Sequence, residues 1–368
     1  MYLIINGYFL AKPKTGMGQY LLNILLHQKW SFKILILIPE YLKDNTKNLP
    51  KSISKKVKYI PFWYKRNDLL AQMIWEMFIF PKEVQKERTD IVWSPHPTIS
   101  NIPNSRHIMT VHDVIYWKFP EYIPNWKVKL YVKLLKKSIF KANKITTISQ
   151  FSAKEIEDIF NIKSKYIPVI SPSSPKISSS NISPLSKSQY IFYEGGLDFR
   201  KNVPKLIEAF NLIVNKYPNL NLYIAGNYFN SPIIPNIPDI IKKYNLQDRV
   251  KLLGYISDED MINYIKYAEF LIYPSLYEGF GIPILEGFSL KTPVITSNIG
   301  AMSEVGADAV IQVNPNSIKS IAKGMDNLLN DDLLKQSLIH KGKERLKNFD
   351  WDKSSLQFEI VFSEQYEK

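Results

Sequence analysis

Two glutamates eight residues apart, Glu278 and Glu286, flank the string Gly279-Phe280-Gly281-Ile282-Pro283 and are the residues of this chain best placed to do chemistry. The stretch reads as a buried strand at Phe270–Tyr273, a glycine loop carrying one carboxylate, and a helix starting near Pro283 that carries the second. Proline suits a first helical turn, where its missing N–H would have no partner. Gly279 and Gly281 leave the backbone free to approach a ligand, and the helix start offers N–H groups to an anion. Phe280 and Ile282 complete this candidate surface. Glu286, expected in the helix's first turn, can accept two hydroxyl hydrogen bonds from a ribose-like diol. A glutamate there also stabilises the helix dipole, and loop glycines also serve as plain turn residues.

A second cluster follows the strand expected at Tyr190–Tyr193. Glu194-Gly-Gly-Leu-Asp-Phe-Arg200-Lys201-Asn202 leads into a helix beginning near Val203. Two cations beside a helix start can clamp a diphosphate, although an exposed Arg-Lys pair is more often a solvated corner. In the first half, Thr15-Gly16-Met-Gly18 opens a helix after the first strand, as a phosphate-binding turn or a tight turn would. His112 and Asp113 follow the strand Ile108-Met-Thr-Val111 directly, and ligands of open α/β sheets bind beyond such carboxyl ends. His112 could also cap the next segment. Asp350-Trp-Asp352 has the spacing of a metal motif but precedes a helix, which favours N-capping.

The string Glu-Gly-Phe-Gly-x-Pro-x-x-Glu at 278–286 resembles the Glu-x7-Glu signature of the retaining, nucleotide-sugar-dependent glycosyltransferases of family 4. The likeness extends through Pro293-Val-Ile-Thr-Ser-Asn298, Ser303-Glu304-Val305 and Val313-Asn-Pro315, and in the first half through Thr110-Val-His-Asp-Val114 and Ile145-Thr-Thr-Ile-Ser-Gln-Phe-Ser152. It implies an α/β protein of the GT-B class, with two Rossmann-like doubly wound domains facing across a cleft. By the same resemblance, Glu278 and His112 contact the transferred sugar and Arg200 with Lys201 meets the diphosphate. Glu286 holds the ribose, Gly16 and Gly18 border the cleft, and Tyr255 after Gly254 lines the base. Many members carry Gly-Arg where this chain has Gly195-Gly196, so one phosphate-facing cation is missing. Lys291 likewise replaces a usual glycine. Gly-Gly-x-Asp-x-Arg-Lys-Asn leans toward the mannosyltransferases of surface-polysaccharide assembly.

The elements needed to position these residues are those of alternating strands and helices. Strands are expected at Tyr2–Asn6, Lys33–Ile38, Asp90–Trp93, Arg106–Val111 and Lys144–Ile148, then at Tyr190–Tyr193, Asn221–Ala225, Val250–Leu253 and Phe270–Tyr273. Residues 1–172 form the expected amino-terminal, acceptor-side domain and 173–189 a Ser/Pro linker. Residues 190–350 form the nucleotide-sugar domain, and 351–368 a helix returning to the first. The apolar run Leu69–Phe80, interrupted by Gln72 and Glu76, reads as a buried helix, too short for the roughly 20 residues that span a bilayer.

There is no cysteine, which excludes disulfides and thiolate metal sites, and the five histidines form no ligand pair at helical spacing. No metal or other cofactor is expected; loss of activity with a chelator would contradict that. The net charge of +14 lies in the first half: residues 1–180 hold 28 Lys/Arg against 12 Asp/Glu, residues 181–368 hold 20 against 22. Lysines of the helix between Tyr122 and Lys144, with Lys51, Lys55, Lys56, Lys58, Lys65 and Arg66, are a candidate for peripheral contact with an anionic membrane, where Phe62, Trp63, Tyr64 and Trp126 suit an interface. No nucleic-acid motif is present. The reading is a cytoplasmic transferase, peripheral at the inner face of the membrane if at all, moving a hexose from a nucleotide sugar to a glycan or lipid-linked acceptor. Its rivals are a nucleotide-sugar epimerase on the same fold and a basic lipid- or nucleic-acid-binding protein, whose affinity would fall steeply with salt.

Overall fold

The structure, a computed structural model, describes residues 1–174, 184–186, 188–227 and 231–367. Most of the expected connector, residues 175–183 and 187, lies outside the described residues. The chain divides into two compact units, one of residues 1–172 with the helix Trp351–Tyr366, the other of residues 173–350.

The first unit is built on six parallel strands: β1 (Tyr2–Asn6), β2 (Lys33–Pro39), β3 (Val57–Ile60), β4 (Ile91–Ser94), β5 (Arg106–Thr110) and β6 (Lys144–Thr146). Their order is β3-β2-β1-β4-β5-β6. Leu3, Ile4 and Ile5 on central β1 are fully buried, as a parallel sheet covered on both faces requires. Strand β3 is additional to the strands expected from sequence. It is an edge strand in a lysine-rich run, and a charged, half-exposed edge has no continuous apolar signature. Strand β6 ends earlier than expected, because Thr147 leaves the sheet to bridge Val169.

The run Leu69–Phe80 is not one buried helix. An α-helix over Leu69–Ile74 widens into a π-helical turn over Trp75–Ile79 and resumes over Phe80–Glu87. Trp75 and Glu76 are fully buried, whereas Phe78 is 61% exposed. The carboxyl-terminal helix begins at Trp351, so Asp352 stands in its first turn and pairs with His27 Nδ1 at 2.9 Å. Phe358 and Phe362 on this helix are fully buried against Trp93, with ring centroids 4.3 and 5.6 Å away. Trp30 Nε1 donates to the Ser355 carbonyl at 2.9 Å.

The second unit carries β7 (Tyr190–Glu194), β8 (Asn221–Ala225), β9 (Val250–Gly254), β10 (Leu271–Tyr273), β11 (Val294–Ser297) and β12 (Ile311–Val313) in the order β12-β11-β10-β7-β8-β9. Counted from its own first strand this is the same topology as the first unit: strand one lies between strands two and four. The order reverses between β1 and β4 in one unit and between β7 and β10 in the other. Crevices for ligands open at such switch points, beyond the carboxyl ends of the strands.

Because Phe362 fills the space over β4 from outside the first 172 residues, Phe362→Ala should destabilise the protein by about 3–5 kcal/mol. Urea unfolding measures this, and a loss under about 1 kcal/mol would show that the helix is not part of this core.

Candidate functional site

At the switch point of the second unit, two segments leave adjacent strands. From β7 comes the turn 195–202, and from β10 the loop 274–281. Gly195 adopts φ +140°, a region that disfavours any side chain. The turn closes in a short 3-10 segment, Phe199–Lys201, and Asn202 enters the left-handed region at φ +62° before the helix Val203–Ile213. Asn202 is buried here because its Nδ2 donates both to the Pro274 carbonyl (3.0 Å) and to the Pro315 carbonyl (2.8 Å).

The loop is fixed along its length by its carbonyls. Those of Tyr273, Ser275 and Tyr277 accept from Thr296 Oγ1 (2.8 Å), Ser297 Oγ (2.6 Å) and Arg200 NH1 (3.1 Å). The Leu276 amide donates to the Arg200 carbonyl at 2.6 Å. Thr296 and Ser297 are the end of β11, so the Pro293–Asn298 string holds the loop from one side while Arg200 and Asn202 hold it from the other.

Glu278 lies where the two segments meet and is only 8% exposed. Its Oε1 is 2.6 Å from Lys201 Nζ and its Oε2 3.2 Å from Arg200 NH1. Arg200 Nε is also 3.0 Å from Asp198 Oδ1, and Lys201 Nζ donates to the Tyr273 hydroxyl at 3.0 Å. Burial opposes ionisation of Glu278, but the charges of Lys201 and Arg200 and the hydrogen bonds from Lys201 and Tyr273 outweigh it and hold the carboxyl below its ordinary range. Arg200 and Lys201, expected from sequence to be a clamp awaiting a diphosphate, are therefore already ion-paired with carboxylates.

The helix following the loop runs Ile282–Ser289, with Gly281 at φ +113° as its cap and Pro283 in its first turn. A Cβ on Gly281 would also approach Ile284 Cδ1 to 3.1 Å. Glu286 is not in the first turn, where the sequence places it, but at the fifth position, one turn in. There it is hydrogen-bonded to Glu194, the last residue of β7. Phe280 is buried with its ring 5.6 Å from Phe349, so its side chain packs the loop. Gly279 is buried within the loop, and Ile282 is the first, partly exposed residue of the helix. Tyr255 is 56% exposed, beyond the left-handed Gly254 that ends β9.

In the first unit, Gly16 and Gly18 lie inside the first turn of the helix Gly16–Leu26, capped by Thr15 Oγ1, and not in a turn before it. Gly18 is required by packing, since a Cβ would fall 2.3 Å from the Lys12 carbonyl oxygen; Gly16 faces open space. His112 Nε2 is 2.8 Å from the Pro95 carbonyl, which can only accept, so Nε2 carries the proton and Nδ1 is left as an acceptor. Burial lowers its pKa to about 4, against the Pro95 hydrogen bond, so the ring is neutral at pH 7. Asp113 Oδ1 accepts from the Ile115 amide.

Four residues that sequence reasoning misses belong to these sites. Glu194 and Asp198 read only as parts of a string, and Tyr273 only as the end of a strand. Glu76 reads as an interruption of an apolar run. Fully buried, it accepts from Gln72 Nε2 (2.8 Å), His96 Nε2 (3.2 Å) and the Ile99 amide (3.0 Å). The Gln72–Glu76 spacing of four, polar on an apolar helix, is the signal that could have found it.

Among the described residues, no group of three or more His, Asp or Glu side chains could hold a metal ion, and no helix is long and apolar enough to cross a membrane. The lysines of the helix Trp126–Lys141 point to solvent, next to Trp126 and Phe140 at 70% and 55% exposed. Trp63 is 73% exposed, whereas Phe62, expected beside it as an interface residue, is buried against Tyr41.

Two doubly wound units of one topology, with carboxylates and cations gathered at a switch point, define the class as an α/β protein of the GT-B fold. The model of the family described as "Glycosyltransferase Family 4" matches residues 16–173, and that of "Glycosyl transferases group 1" matches residues 176–345. The chain is 30% identical over 266 residues to the O-antigen chain mannosyltransferase B of Escherichia coli, covering 68% of each protein. It is 27% identical to the O-antigen chain mannosyltransferase RfbU of Salmonella typhimurium, covering 89% of this chain and 90% of that one. The solved structure of Anabaena Alr3699/HepE, in complex with UDP and glucose, superposes with a TM-score of 0.75 at 17% identity, covering 99% and 100% of the two chains. The chain belongs to the family 4 glycosyltransferases, and it is a glycosyltransferase.

The lowered pKa of Glu278 sets a stability signature. A carboxyl whose folded pKa lies below its unfolded value stabilises the fold above the unfolded pKa, and that contribution disappears as pH falls through the folded one. Wild type should therefore exceed Glu278→Gln in stability most at about pH 7, with the gap closing toward about pH 3, as urea titrations at each pH would show. A gap independent of pH would mean that Glu278 is not ionised in the fold.

Proposed function

We propose that this glycosyltransferase is a retaining hexosyltransferase. It moves a hexose, mannose by the lean of its relatives, from a nucleoside diphosphate donor to a hydroxyl of a glycan or lipid-linked acceptor in surface-polysaccharide synthesis. The observation that carries the reading is the pairing of Glu278 with Lys201 and Arg200 at the switch point beside the helix start at Gly281. The names of the O-antigen relatives, and the UDP and glucose in the Anabaena structure, support the sugar and the donor class.

In this reading the bound diphosphate draws the guanidinium and ammonium partly off Glu278, and the freed carboxylate oxygens accept a hydroxyl of the sugar. The bond between the anomeric carbon and the diphosphate oxygen breaks. The acceptor oxygen bonds to the same face of that carbon, and its proton passes to the departing diphosphate. Arg200, Lys201 and the amides at the helix start meet the charge that develops, which is where preorganised donors are most effective. These groups take the role a metal would otherwise fill, so none is invoked. Glu286 holds the ribose, and His112, a neutral ring with one acceptor nitrogen, receives a sugar hydroxyl.

With a labelled GDP- or UDP-hexose the label should enter a new glycosidic bond of unchanged anomeric configuration, at the same rate with and without EDTA. Glu278→Gln should lower kcat by about 100-fold or more with a smaller change in KM. Label remaining on the nucleotide as an epimer, or an unaltered kcat in the variant, would sink the reading.

The exposed Trp63, Trp126 and Phe140 beside outward-facing lysines support a peripheral seat on anionic lipid. Sedimentation with phosphatidylglycerol vesicles but not phosphatidylcholine ones, lost in Trp126→Ser with Lys129→Glu and Lys133→Glu, is the expected result. Equal sedimentation with both vesicles would refute it.

A further inference from the structure

The donor site, as assigned by the proposed function on which this inference rests, contains a second pair of acids that form no salt bridge among the described residues. Glu194 ends β7, and Glu286 stands one turn into the helix Ile282–Ser289 that follows the neighbouring β10. Their carboxyls are hydrogen-bonded to each other. Two ionised carboxylates present only acceptors, so such a bond requires a proton on one of them.

The surroundings decide which one. Glu194 is 5% exposed, and its Oε1 is buried with no hydrogen-bond partner among the described residues. Glu286 is less buried. The charged groups facing the pair are Lys201, toward Glu194, and Asp258, toward Glu286 from the start of the helix Asp258–Lys266. The Lys201 ammonium is committed to Glu278 at 2.6 Å, and Asp258 adds negative charge. Burial first, and then the charge of Glu286, push the Glu194 carboxyl far above its ordinary range; burial and Asp258 push Glu286 up less.

We propose that Glu194 and Glu286 form a one-proton clamp for the vicinal diol of the donor's ribose, Glu194 presenting a neutral carboxylic O–H and Glu286 the charged acceptor. Each hydroxyl of a diol is both donor and acceptor. The Glu286 carboxylate accepts hydrogen bonds from the two hydroxyls, and the Glu194 O–H turns from Glu286 to donate to a diol oxygen. No bond other than hydrogen bonds changes. Once the pair loses its last proton, no donor remains for the diol oxygens and two buried negative charges face each other, so the nucleotide is released. Glu194 is thus a binding residue that also makes donor affinity depend on pH.

The test uses the full chain with UDP and GDP by titration calorimetry from about pH 6.5 to about pH 10, alongside infrared spectra of the free protein. Wild type should show the carbonyl band of a protonated carboxylic acid at pH 7.5, and this band should be missing in Glu194→Gln. Wild-type affinity should follow the band: constant where it persists, and weakening about tenfold per pH unit once it is lost. Glu194→Gln, a permanently neutral donor, should bind with no such fall, and the 2′,3′-dideoxy nucleotides should bind wild type weakly without it. Absence of the band from wild type, which needs no variant to fold, overturns the proposal. So does an equal pH slope in Glu194→Gln, or dideoxy nucleotides binding as tightly as the ribonucleotides. Nucleotide binding without these features overturns the clamp alone, whereas binding of neither UDP nor GDP at any pH overturns it together with the donor reading.

Discussion

A carboxylate taken out of water must find partners or give up its charge, and Glu278 finds two cations from a segment 77 residues away. That constraint organises the second unit. For Lys201 and Arg200 to reach Glu278, the turn after β7 and the loop after β10 must be brought together and kept there. The Asn202, Thr296, Ser297 and Arg200 side chains do this by donating to the carbonyls of Pro274, Tyr273, Ser275 and Tyr277. The result is a cluster in which the charges of Arg200 and Lys201 are offset by those of Glu278 and Asp198. On the proposed function, a diphosphate entering it would exchange one set of anionic partners for another, which costs less than ordering free lysine and arginine side chains would.

Glu194 and Glu286 meet the same constraint differently. They sit beyond the same two strands, yet the nearest ammonium is already taken, so a proton does what a cation does for Glu278. Lys201 lies between the two arrangements: it pairs with Glu278 and its field also reaches Glu194. Any ligand that pulls Lys201 toward a phosphate therefore changes the electrostatics of both acids. The two ends of one donor molecule would be sensed through a single ammonium.

Much of the fold is legible in the sequence because buried parallel strands are near-continuous apolar runs: Leu3-Ile-Ile on β1 and Leu271-Ile-Tyr on β10 need no tertiary information. Strand β3 is hidden because three of its four side chains are charged or half-exposed at a sheet edge. The chemistry-bearing strings are also legible, since glycine at the left-handed Gly281 and proline at the helix start leave local marks. Pairing at long range leaves none. Nothing local says that Lys201 is committed to Glu278, that Glu194 meets Glu286, or that Phe280 turns inward to Phe349. The one-residue error in placing Glu286, which moves it out of the first turn, comes from counting the helix from its proline, when the left-handed cap at Gly281 starts it at Ile282.

The two sheets share one strand order, so the comparison between their switch points isolates what each has been given to do. Beyond β1 and β4 a buried carboxylate, Glu76, is again satisfied, but by Gln72, the Ile99 amide and His96, with no lysine or arginine among those donors. The first unit holds nearly all of the chain's basic excess, yet places much of it on outward helix faces such as Lys127, Lys129, Lys133 and Lys136. If net charge alone chose where an anionic donor binds, the first unit would be the better host. On the proposed function, the cations that matter are the few held in fixed geometry at strand ends of the nearly neutral second unit, because in a dry site two oriented charges outweigh many solvated ones.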